Sequence, residues 1–321
     1  MSPALMKSLE IRHPVAIEEC SSKELIVPVT DAHSPPDGGY GWVNVIASFF
    51  VHVFVLGNIY SFGVFFPVYV DTFGASQAAV SWIGSVSLGL MTGLGAYSGK
   101  WADLYGNNRV VFLGGLLIGI GYFLASYSTK IWHLYLTQGF VVGVGYSLSF
   151  VAGISVVSQW FVKRRGLALG LAVAGSGFGQ VIMSLITATL ITHMGWESTL
   201  RYLALINVVG LSICAFFIKR LVPCVAQSPT NPGADASPGS NPGAVAVHTD
   251  NGSAQSSLRY FSDRKFNLLY FGLLTAVLGM MMPFVYLPQY AMAHGISYNR
   301  AVFLLSVMGI SVFPVLLDEF L

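Results

Sequence analysis

The sequence predicts an all-α membrane protein, on three observations. Of its 321 residues, 54% are hydrophobic and only 9% are charged, whereas a soluble domain carries roughly 25% charged residues. The apolar residues are gathered into runs of about the 20 residues that a helix needs to cross a bilayer. The lysines and arginines between these runs lie mostly in alternate connections. Because a helix satisfies its own backbone hydrogen bonds in lipid, the runs are predicted to be transmembrane helices.

Eight runs are long enough to span. They extend approximately over Val43 to Val70, Val80 to Ser98, Val110 to Tyr127, Leu134 to Trp160, Leu167 to Thr192, Leu200 to Ile218, Asn267 to Tyr290 and Ala301 to Leu317. The first 36 residues contain four glutamates and no central apolar block, which predicts a disordered cytosolic tail. Residues 223–264 are rich in Pro, Gly, Ser and Ala, which predicts a disordered cytosolic linker. The predicted domains are therefore this tail (1–36), a six-helix bundle (37–222), the linker (223–264) and an incomplete bundle of two helices (265–321).

The positions of lysine and arginine predict a cytosolic N-terminus. With that orientation, thirteen of the sixteen basic residues lie in the tail and the even-numbered connections, and only Lys130, Arg201 and Arg300 lie on the opposite side. Basic residues favour the cytosolic face of a membrane. The net charge of +2 is too small to indicate nucleic acid as a partner.

A short motif marks the entrance to the first span. It consists of Asp37, Gly38, Gly39, Tyr40, Gly41 and Trp42. Asp37 is predicted to cap the helix that follows, because a carboxylate can accept hydrogen bonds from free N–H groups at a helix start. Tyr40 and Trp42 have amphipathic rings, which favour the headgroup layer.

The connection between the second and third spans, Gly99 to Arg109, has regularly spaced glycines and charges. Asp103 follows Gly99 by four residues, Gly106 follows three residues later, and Arg109 three after that. This pattern predicts a tight cytosolic turn. The Asp103 carboxylate is expected to pair with Arg109 or a helix N-terminus in one conformation and to release it in the other.

The connection between the fourth and fifth spans is basic and then rich in small residues, over Trp160 to Ser176. Its three adjacent bases, Lys163, Arg164 and Arg165, are expected to anchor the cytosolic end against anionic lipid. The helix that follows carries small residues four apart, at Gly166, Gly170 and Ala174 and at Gly175 and Gly179. Such spacing predicts faces that pack closely against other helices.

These features resemble one family of transporters. Six spans, a long linker and further spans resemble the hydropathy of the major facilitators, which have two six-helix bundles around a central cavity. The motif at Asp37 to Trp42 and the segment Trp160 to Ser176 resemble the two signatures of the monocarboxylate-transporter family. The connection Gly99 to Arg109 resembles the loop motif that major facilitators share. The resemblance extends over roughly Asp37 to Ser306.

The resemblance implies a fold and a function. It implies a major-facilitator-type bundle, with about eight of an expected twelve helices present, in the plasma membrane. It implies carriage of a small organic solute by alternating access, most often a monocarboxylate or related organic anion, with or without protons. It leaves room for an accessory membrane subunit. It also implies that Asp37 and the cluster Lys163 to Arg165 serve conformational change and insertion.

Two departures from the family pattern leave alternatives open. The lactate-carrying members have an anion-binding lysine in the first helix, where this chain has Tyr60. They also have an aspartate and an arginine one turn apart in the eighth helix. Here the match at Phe303 to Ser306 fades by Val312 to Pro314 with neither residue present, and Asp318 and Glu319 lie too far along to substitute. One alternative is therefore a carrier of a neutral or aromatic metabolite without proton coupling. Another is a truncated, non-transporting isoform or an incomplete gene model, because the sequence ends at Leu321, four helices short of the expected fold.

Polar residues inside the spans are the candidates for a solute cavity, because they are costly in lipid. The predicted cavity residues are His52, Asn58, Tyr60, Ser61 and Gln180; Gln138, Ser147, Gln159 and Asn207 complete the polar set. His52 is the one member that can titrate near neutrality, although a lone histidine is more often a packing residue. The spans carry no paired acids, zinc-ligand cluster or phosphate loop. The sequence therefore predicts neither an enzyme nor a bound metal or cofactor.

Overall fold

The computed structural model describes residues 37–220 and 282–296, together with residues 267, 268, 271, 272, 275, 300, 301, 303, 304 and 307. That part of the chain is helical and contains no strand. The helices, numbered in chain order, are α1 Gly41–Tyr60, α2 Phe62–Phe73, α3 Gln77–Gly93, α4 Gly95–Tyr105, α5 Asn107–Ala125, α6 Ile131–Leu134, α7 Val142–Trp160, α8 Arg165–Phe217 and α9 Met282–Ala293. A π-helical segment, Tyr135–Val141, joins α6 to α7.

Several of these helices can cross a membrane. Four stretches are long and apolar enough: Gly41–Phe73, Asn107–Ala125, Ile131–Trp160 and Arg165–Phe217. Helices α3 and α4 taken together are also long and apolar enough to form one span, which is bent by 52° between them. The predicted helical membrane fold is confirmed, while the number of eight spans stays a prediction.

Helix α8 has 53 residues, so at about 1.5 Å per residue it is more than twice as long as the roughly 30 Å hydrocarbon layer. Gly195 interrupts it with φ 78° and ψ 167°, a conformation that favours glycine. The interruption lies between the fifth and sixth predicted spans. We therefore interpret α8 as two crossings joined at Gly195.

Local sequence accounts for several helix ends near the start of the bundle. Helix α2 ends at Gly74, whose φ of 56° lies in the left-handed region. Helix α3 begins after Ser76, whose hydroxyl accepts a hydrogen bond from the Ala79 N–H at 3.2 Å. Between α4 and α5 the chain turns at Gly106, with φ 89°.

The core of the bundle lies around α1, which packs against both α7 and α8. Its buried face includes Val45, Val51 and Val55, each with no exposed surface. Large apolar side chains on the outer helices point away from this core, among them Phe112, Ile120, Leu205 and Phe216. An outer surface of this kind suits contact with lipid rather than water.

Glycines let α1 and α8 approach closely. A β-carbon on Gly179 would lie 2.5 Å from the Val53 carbonyl oxygen, and one on Gly175 would overlap the Phe49 carbonyl. From the other side, a β-carbon on Gly57 would lie 2.8 Å from the Gly179 backbone. The predicted close packing therefore occurs at this pair of helices.

Some predicted segments lie outside the described residues. These are the tail at 1–36, the linker at 223–264 and most of the eighth span. The end of the seventh predicted span coincides with α9. The predicted domain boundaries stay predictions.

Candidate functional site

A cavity of about 120 Å³ lies between the α1/α2 span, α3, α5, the π-helical segment with α7, and α9. Polar, aromatic and aliphatic residues from five stretches of the chain line it. They are Asn58, Ile59, Phe62, Ser81, Gly84, Ser85, Ser87, Leu88, Tyr122, Gln138, Val142, Tyr146 and Tyr286. The cavity has room for several water molecules or one small organic solute.

Gln138 supplies a side-chain amide to this cavity from the π-helical segment. Its Oε1 accepts a hydrogen bond of 2.8 Å from the Tyr69 hydroxyl. Its backbone carbonyl accepts one of 3.0 Å from the Ser87 hydroxyl. Single π-turns inside α-helices occur frequently at functional sites, because they redirect one side chain. The local helix irregularity and the cavity therefore coincide at this glutamine.

Two tyrosines form a second polar group on the cavity wall. The hydroxyls of Tyr122 and Tyr146 lie 2.6 Å apart, and both side chains are buried. One hydroxyl donates to the other, so the accepting hydroxyl keeps its own proton to donate elsewhere. This pair can therefore hydrogen-bond to an acceptor atom in the cavity.

Tyr286 of α9 closes one side of the cavity against the first bundle. Its hydroxyl lies 2.7 Å from the Ser81 hydroxyl of α3, and its ring centroid lies 5.5 Å from that of Phe66. The cavity is thus bounded by both parts of the chain that flank the predicted linker.

The described lining contains no acidic or basic side chain. Its polar groups are hydroxyls and amides, and the remainder is apolar or aromatic. A solute in this part of the cavity would therefore be bound by neutral hydrogen bonds and apolar contact rather than by a charge pair.

Of the five predicted cavity residues, the structure places Asn58 in this lining. The Asn58 amide nitrogen donates to Asn207 Oδ1 at 2.8 Å and to the Phe54 carbonyl. Ser61 is buried and its hydroxyl donates to the Asn58 carbonyl at 3.0 Å. Tyr60 and Gln180 are also buried, outside the described lining. Their assignment as solute contacts stays a prediction.

His52 lies on α1 with its side chain fully buried against α7, and it is not part of the described cavity lining. Its Nδ1 lies 2.7 Å from the Ser48 carbonyl oxygen, which can only accept, so Nδ1 donates. The ring packs edge-on against Phe150 at 5.2 Å, and Nε2 has no hydrogen-bond partner among residues 37–220. This is the environment of a packing residue, and a role in proton coupling stays a prediction.

Gln138 belongs to the predicted intramembrane polar set but not to the five predicted cavity residues, and the prediction does not include Tyr122, Tyr146 or Tyr286. Serines and tyrosines are common in apolar helices, so none of them is conspicuous alone. One signal was available: Ser81 and Ser85 lie four residues apart, on one face of α3.

The two signature motifs meet at one end of the bundle. Asp37 Oδ1 accepts hydrogen bonds from the backbone N–H groups of Val162 at 2.7 Å and Lys163 at 3.0 Å. Helix α1 itself starts after Tyr40 without a side-chain cap. The prediction that Asp37 caps α1 is therefore wrong, because its carboxylate serves the connection between α7 and α8. These hydrogen bonds, that of Val162 above all, lower the pKa of Asp37.

Aromatic residues reinforce this contact, and we refer to the Asp37 hydrogen bonds with these ring contacts as the signature latch. Trp42 meets Phe161 edge-on at 5.1 Å, and Tyr40 meets Trp160 at 6.0 Å. A β-carbon on Gly41 would lie 3.0 Å from the Phe161 ring. The latch therefore needs glycine at position 41 as well as the aromatic pairs.

The end of α8 joins the same region. The Lys219 backbone exchanges two hydrogen bonds with the Asn44 side chain, at 2.9 and 3.2 Å, and its carbonyl also accepts from Trp160 Nε1 at 3.0 Å. The Tyr40 hydroxyl donates to the Phe217 carbonyl at 2.8 Å. The start of α1 is thereby bonded to both neighbouring helix ends.

The other charged motif residues are exposed. The backbone carbonyl of Asp103 accepts a hydrogen bond from Arg220 at 2.7 Å. Within residues 37–220, the Asp103 carboxylate forms no ion pair with Arg109. The bases Lys163, Arg164 and Arg165 project outward at the start of α8. Their predicted roles in switching and anchoring stay predictions.

Metal-binding side chains do not converge in the part of the chain that the structure covers. No three of His, Cys, Asp or Glu there lie close enough together to hold an ion.

Comparisons with a family model and with individual proteins both find transporters of the same superfamily. Residues 48–318 match the model of the Major Facilitator Superfamily. Monocarboxylate transporter 2 of Mus musculus is 31% identical over 281 residues, which cover 86% of this chain and 57% of the mouse protein. The MFS-type transporter pytF of Aspergillus terreus is 30% identical over 283 residues, covering 87% of this chain and 88% of the fungal protein. The chain thus spans a little over half the length of its mouse relative.

The fold also matches a solved structure. The xylose transporter XylE from E. coli, in a partially occluded inward open conformation, superposes with a TM-score of 0.56 over 85% of this chain and 70% of that one. Sequence identity is 11%, so this likeness concerns the fold alone.

Proposed function

The chain belongs to the Major Facilitator Superfamily, and on this basis we propose that it carries a small organic solute across a membrane by alternating access. Monocarboxylates and related organic anions are the first candidate solutes, since monocarboxylate transporters are among the similar proteins. One observation carries the proposal. The small cavity is bounded on one side by the first bundle and on another by Tyr286 beyond the predicted linker. A carrier of this type opens such a site to each side in turn.

A second candidate is a neutral or aromatic metabolite carried without proton coupling. The described cavity lining offers hydroxyls, amides and aromatic rings but no basic side chain. Tyr60 can donate a hydrogen bond but carries no positive charge. These features favour recognition of an uncharged acceptor group over charge pairing with an anion.

The remaining parts of the functional prediction belong to the same proposal. They are a plasma-membrane location with a cytosolic N-terminus, coupling to protons, and an accessory membrane subunit. The alternation of basic connections supports the orientation. The signature latch supports a conformational role for Asp37, because it holds the start of α1 against the end of α7 and the connection to α8.

Uptake into liposomes that contain the purified chain tests the proposal. We expect saturable uptake from a panel of a labelled short monocarboxylate, its neutral amide and an aromatic amino acid. Ser85→Leu should remove most of this uptake, because a leucine there projects into the cavity. Thr189→Leu is the matched control, since Thr189 is exposed on α8 and outside the cavity lining.

The panel separates the candidates. Uptake of the monocarboxylate that increases when the outside is acidic supports an anion carried with protons. Uptake of the amide or the aromatic solute at the same rate with and without a pH gradient supports the second candidate. Absence of saturable uptake of every solute would contradict transport by residues 1–321.

A further inference from the structure

We infer that Gln138 contacts the solute directly through its side-chain Nε2, and that Tyr69 is the residue that positions this amide. The solute class that fits is a small molecule with a carboxylate or carbonyl oxygen at one end and a short apolar group at the other. The inference rests on the proposed function, because it names the chemistry recognised in the same cavity.

The first step concerns the direction of the Gln138 amide. The amide is almost completely buried, with 4% of its residue surface exposed, yet it lines the cavity. Its Oε1 is occupied by the Tyr69 hydroxyl. No residue in the described ranges accepts a hydrogen bond from its Nε2. Nε2 is not among the fully enclosed side-chain atoms that lack a partner, so it is open to the cavity. An acceptor atom of a solute there can take its hydrogen bond.

The second step concerns the rigidity of Tyr69. Its side chain has no exposed surface. Its ring stacks on Phe65 at 5.5 Å with an interplanar angle of 24°, and meets Trp196 edge-on at 5.7 Å. Packing on both sides fixes the ring, so its hydroxyl is held in one place. The hydrogen bond to Oε1 then fixes which edge of the Gln138 amide faces the cavity.

The third step concerns the rest of the wall. The Tyr122 and Tyr146 hydroxyl pair lies in the same cavity and keeps one proton to donate. Ile59, Phe62 and Leu88 contribute apolar surface to the lining. Donors and apolar surface together suit an acceptor oxygen attached to a short hydrocarbon chain.

Equilibrium binding tests this inference without requiring transport. The measurement is the shift in thermal unfolding of the purified chain in detergent, titrated with three-carbon probes to obtain a Kd. Propionate and propionamide both carry an acceptor oxygen, the first charged and the second neutral. Propylammonium chloride has the same size with donors only. Sodium chloride at equal concentration corrects for ionic strength.

Four variants assign the roles. Gln138→Met removes the amide at nearly constant volume, and Tyr69→Phe removes the positioning hydroxyl. The double variant combines them. Tyr135→Phe is the matched control, because it also removes a hydroxyl bonded to a neighbouring helix, in this case to the Ala79 carbonyl of α3, outside the cavity lining.

We expect the unaltered chain and Tyr135→Phe to bind at least one of propionate and propionamide and not propylammonium. Gln138→Met should weaken that binding about 5- to 10-fold, the effect of one lost hydrogen bond. Tyr69→Phe should weaken it less. The double variant should match Gln138→Met, because Tyr69 acts through the glutamine.

Three results would overturn the inference: no probe binds the unaltered chain, Gln138→Met binds as well as the unaltered chain, or propylammonium binds as well as the acceptor-bearing probes. Additive effects in the double variant would overturn the positioning role of Tyr69. Binding that depends on Gln138 in a chain that takes up no solute would leave the inference standing and contradict the proposed function instead.

Discussion

Gly175→Val is expected to abolish the accumulation of folded protein. A β-carbon at this position would overlap the Phe49 backbone carbonyl of α1. Backbone cannot rotate away as a flexible side chain can, so α1 and α8 would have to separate. The cost should exceed the about 1–3 kcal/mol of an ordinary overpacked core site. The yield of monodisperse protein in size-exclusion chromatography after mild detergent extraction measures the effect.

Gly89→Val is the matched control for this substitution. Gly89 also lies inside a helix, α3, but a β-carbon there meets no atom within 4 Å. Both variants introduce the same β-branched residue with the same intrinsic helix preference. We therefore expect Gly89→Val to yield nearly as much folded protein as the unaltered chain. Equal yields from the two variants would contradict the close packing of α1 on α8.

The glycine pattern illustrates what the sequence could predict about the fold. Residues four apart at Gly175 and Gly179 predicted a smooth helix face, because that spacing lies on one side of a helix. The pattern could not identify α1 as the partner. That depends on Gly57 and on the Val53 carbonyl, which belong to a helix more than 100 residues earlier in the chain.

Hydropathy does not predict where a helix is irregular or bent. The fourth span was predicted as one apolar run, and the structure divides it into α6, the π-helical segment and α7. Hydropathy averages over about one span length, so it cannot detect a change in hydrogen-bond register over seven residues. The bend of 52° between α3 and α4 escaped detection for the same reason.

The candidate site was predictable only in part. Polar residues within single spans can be identified from the sequence, and Asn58, predicted in this way, lies in the described cavity lining. Its contact with a solute stays a prediction. Whether a polar residue faces a cavity or a neighbouring helix depends on tertiary packing. Ser61 faces neither, since it lies outside the described cavity lining and its hydroxyl bonds to a carbonyl of its own span. Gln138 illustrates the first, since its position depends on Tyr69, a residue 69 positions earlier in the chain.

Asp37→Ala is expected to slow solute transport several-fold while leaving the Kd for the solute unchanged. The substitution removes the hydrogen bonds from the Val162 and Lys163 N–H groups, which join the segment before α1 to the connection between α7 and α8. The cavity lining contains none of these residues. The loss should therefore affect the movement of helices rather than solute binding. Initial uptake rates in liposomes, together with the thermal-shift Kd, separate these two effects.

Tryptic digestion gives a second measurement that does not depend on transport. Lys163, Arg164 and Arg165 are exposed next to the latch, so loosening it should accelerate cleavage there. Asp71→Ala is the matched control, because Asp71 is an exposed aspartate in α2, outside the latch. Asp37→Asn should give an intermediate cleavage rate, since its side-chain oxygen still accepts a hydrogen bond but carries no charge.

The pH dependence of the latch follows from the lowered pKa of Asp37, whose largest cause is the hydrogen bond from Val162. A carboxylate with a pKa lower in the folded than in the unfolded state contributes its full stabilisation above the unfolded pKa. That contribution is lost only as the pH falls through the lower, folded value. The ratio of cleavage rates between Asp37→Ala and the unaltered chain should therefore be constant above about pH 5. A ratio that changes between neutral and mildly acidic pH would show that another group controls the contact between the two signature motifs.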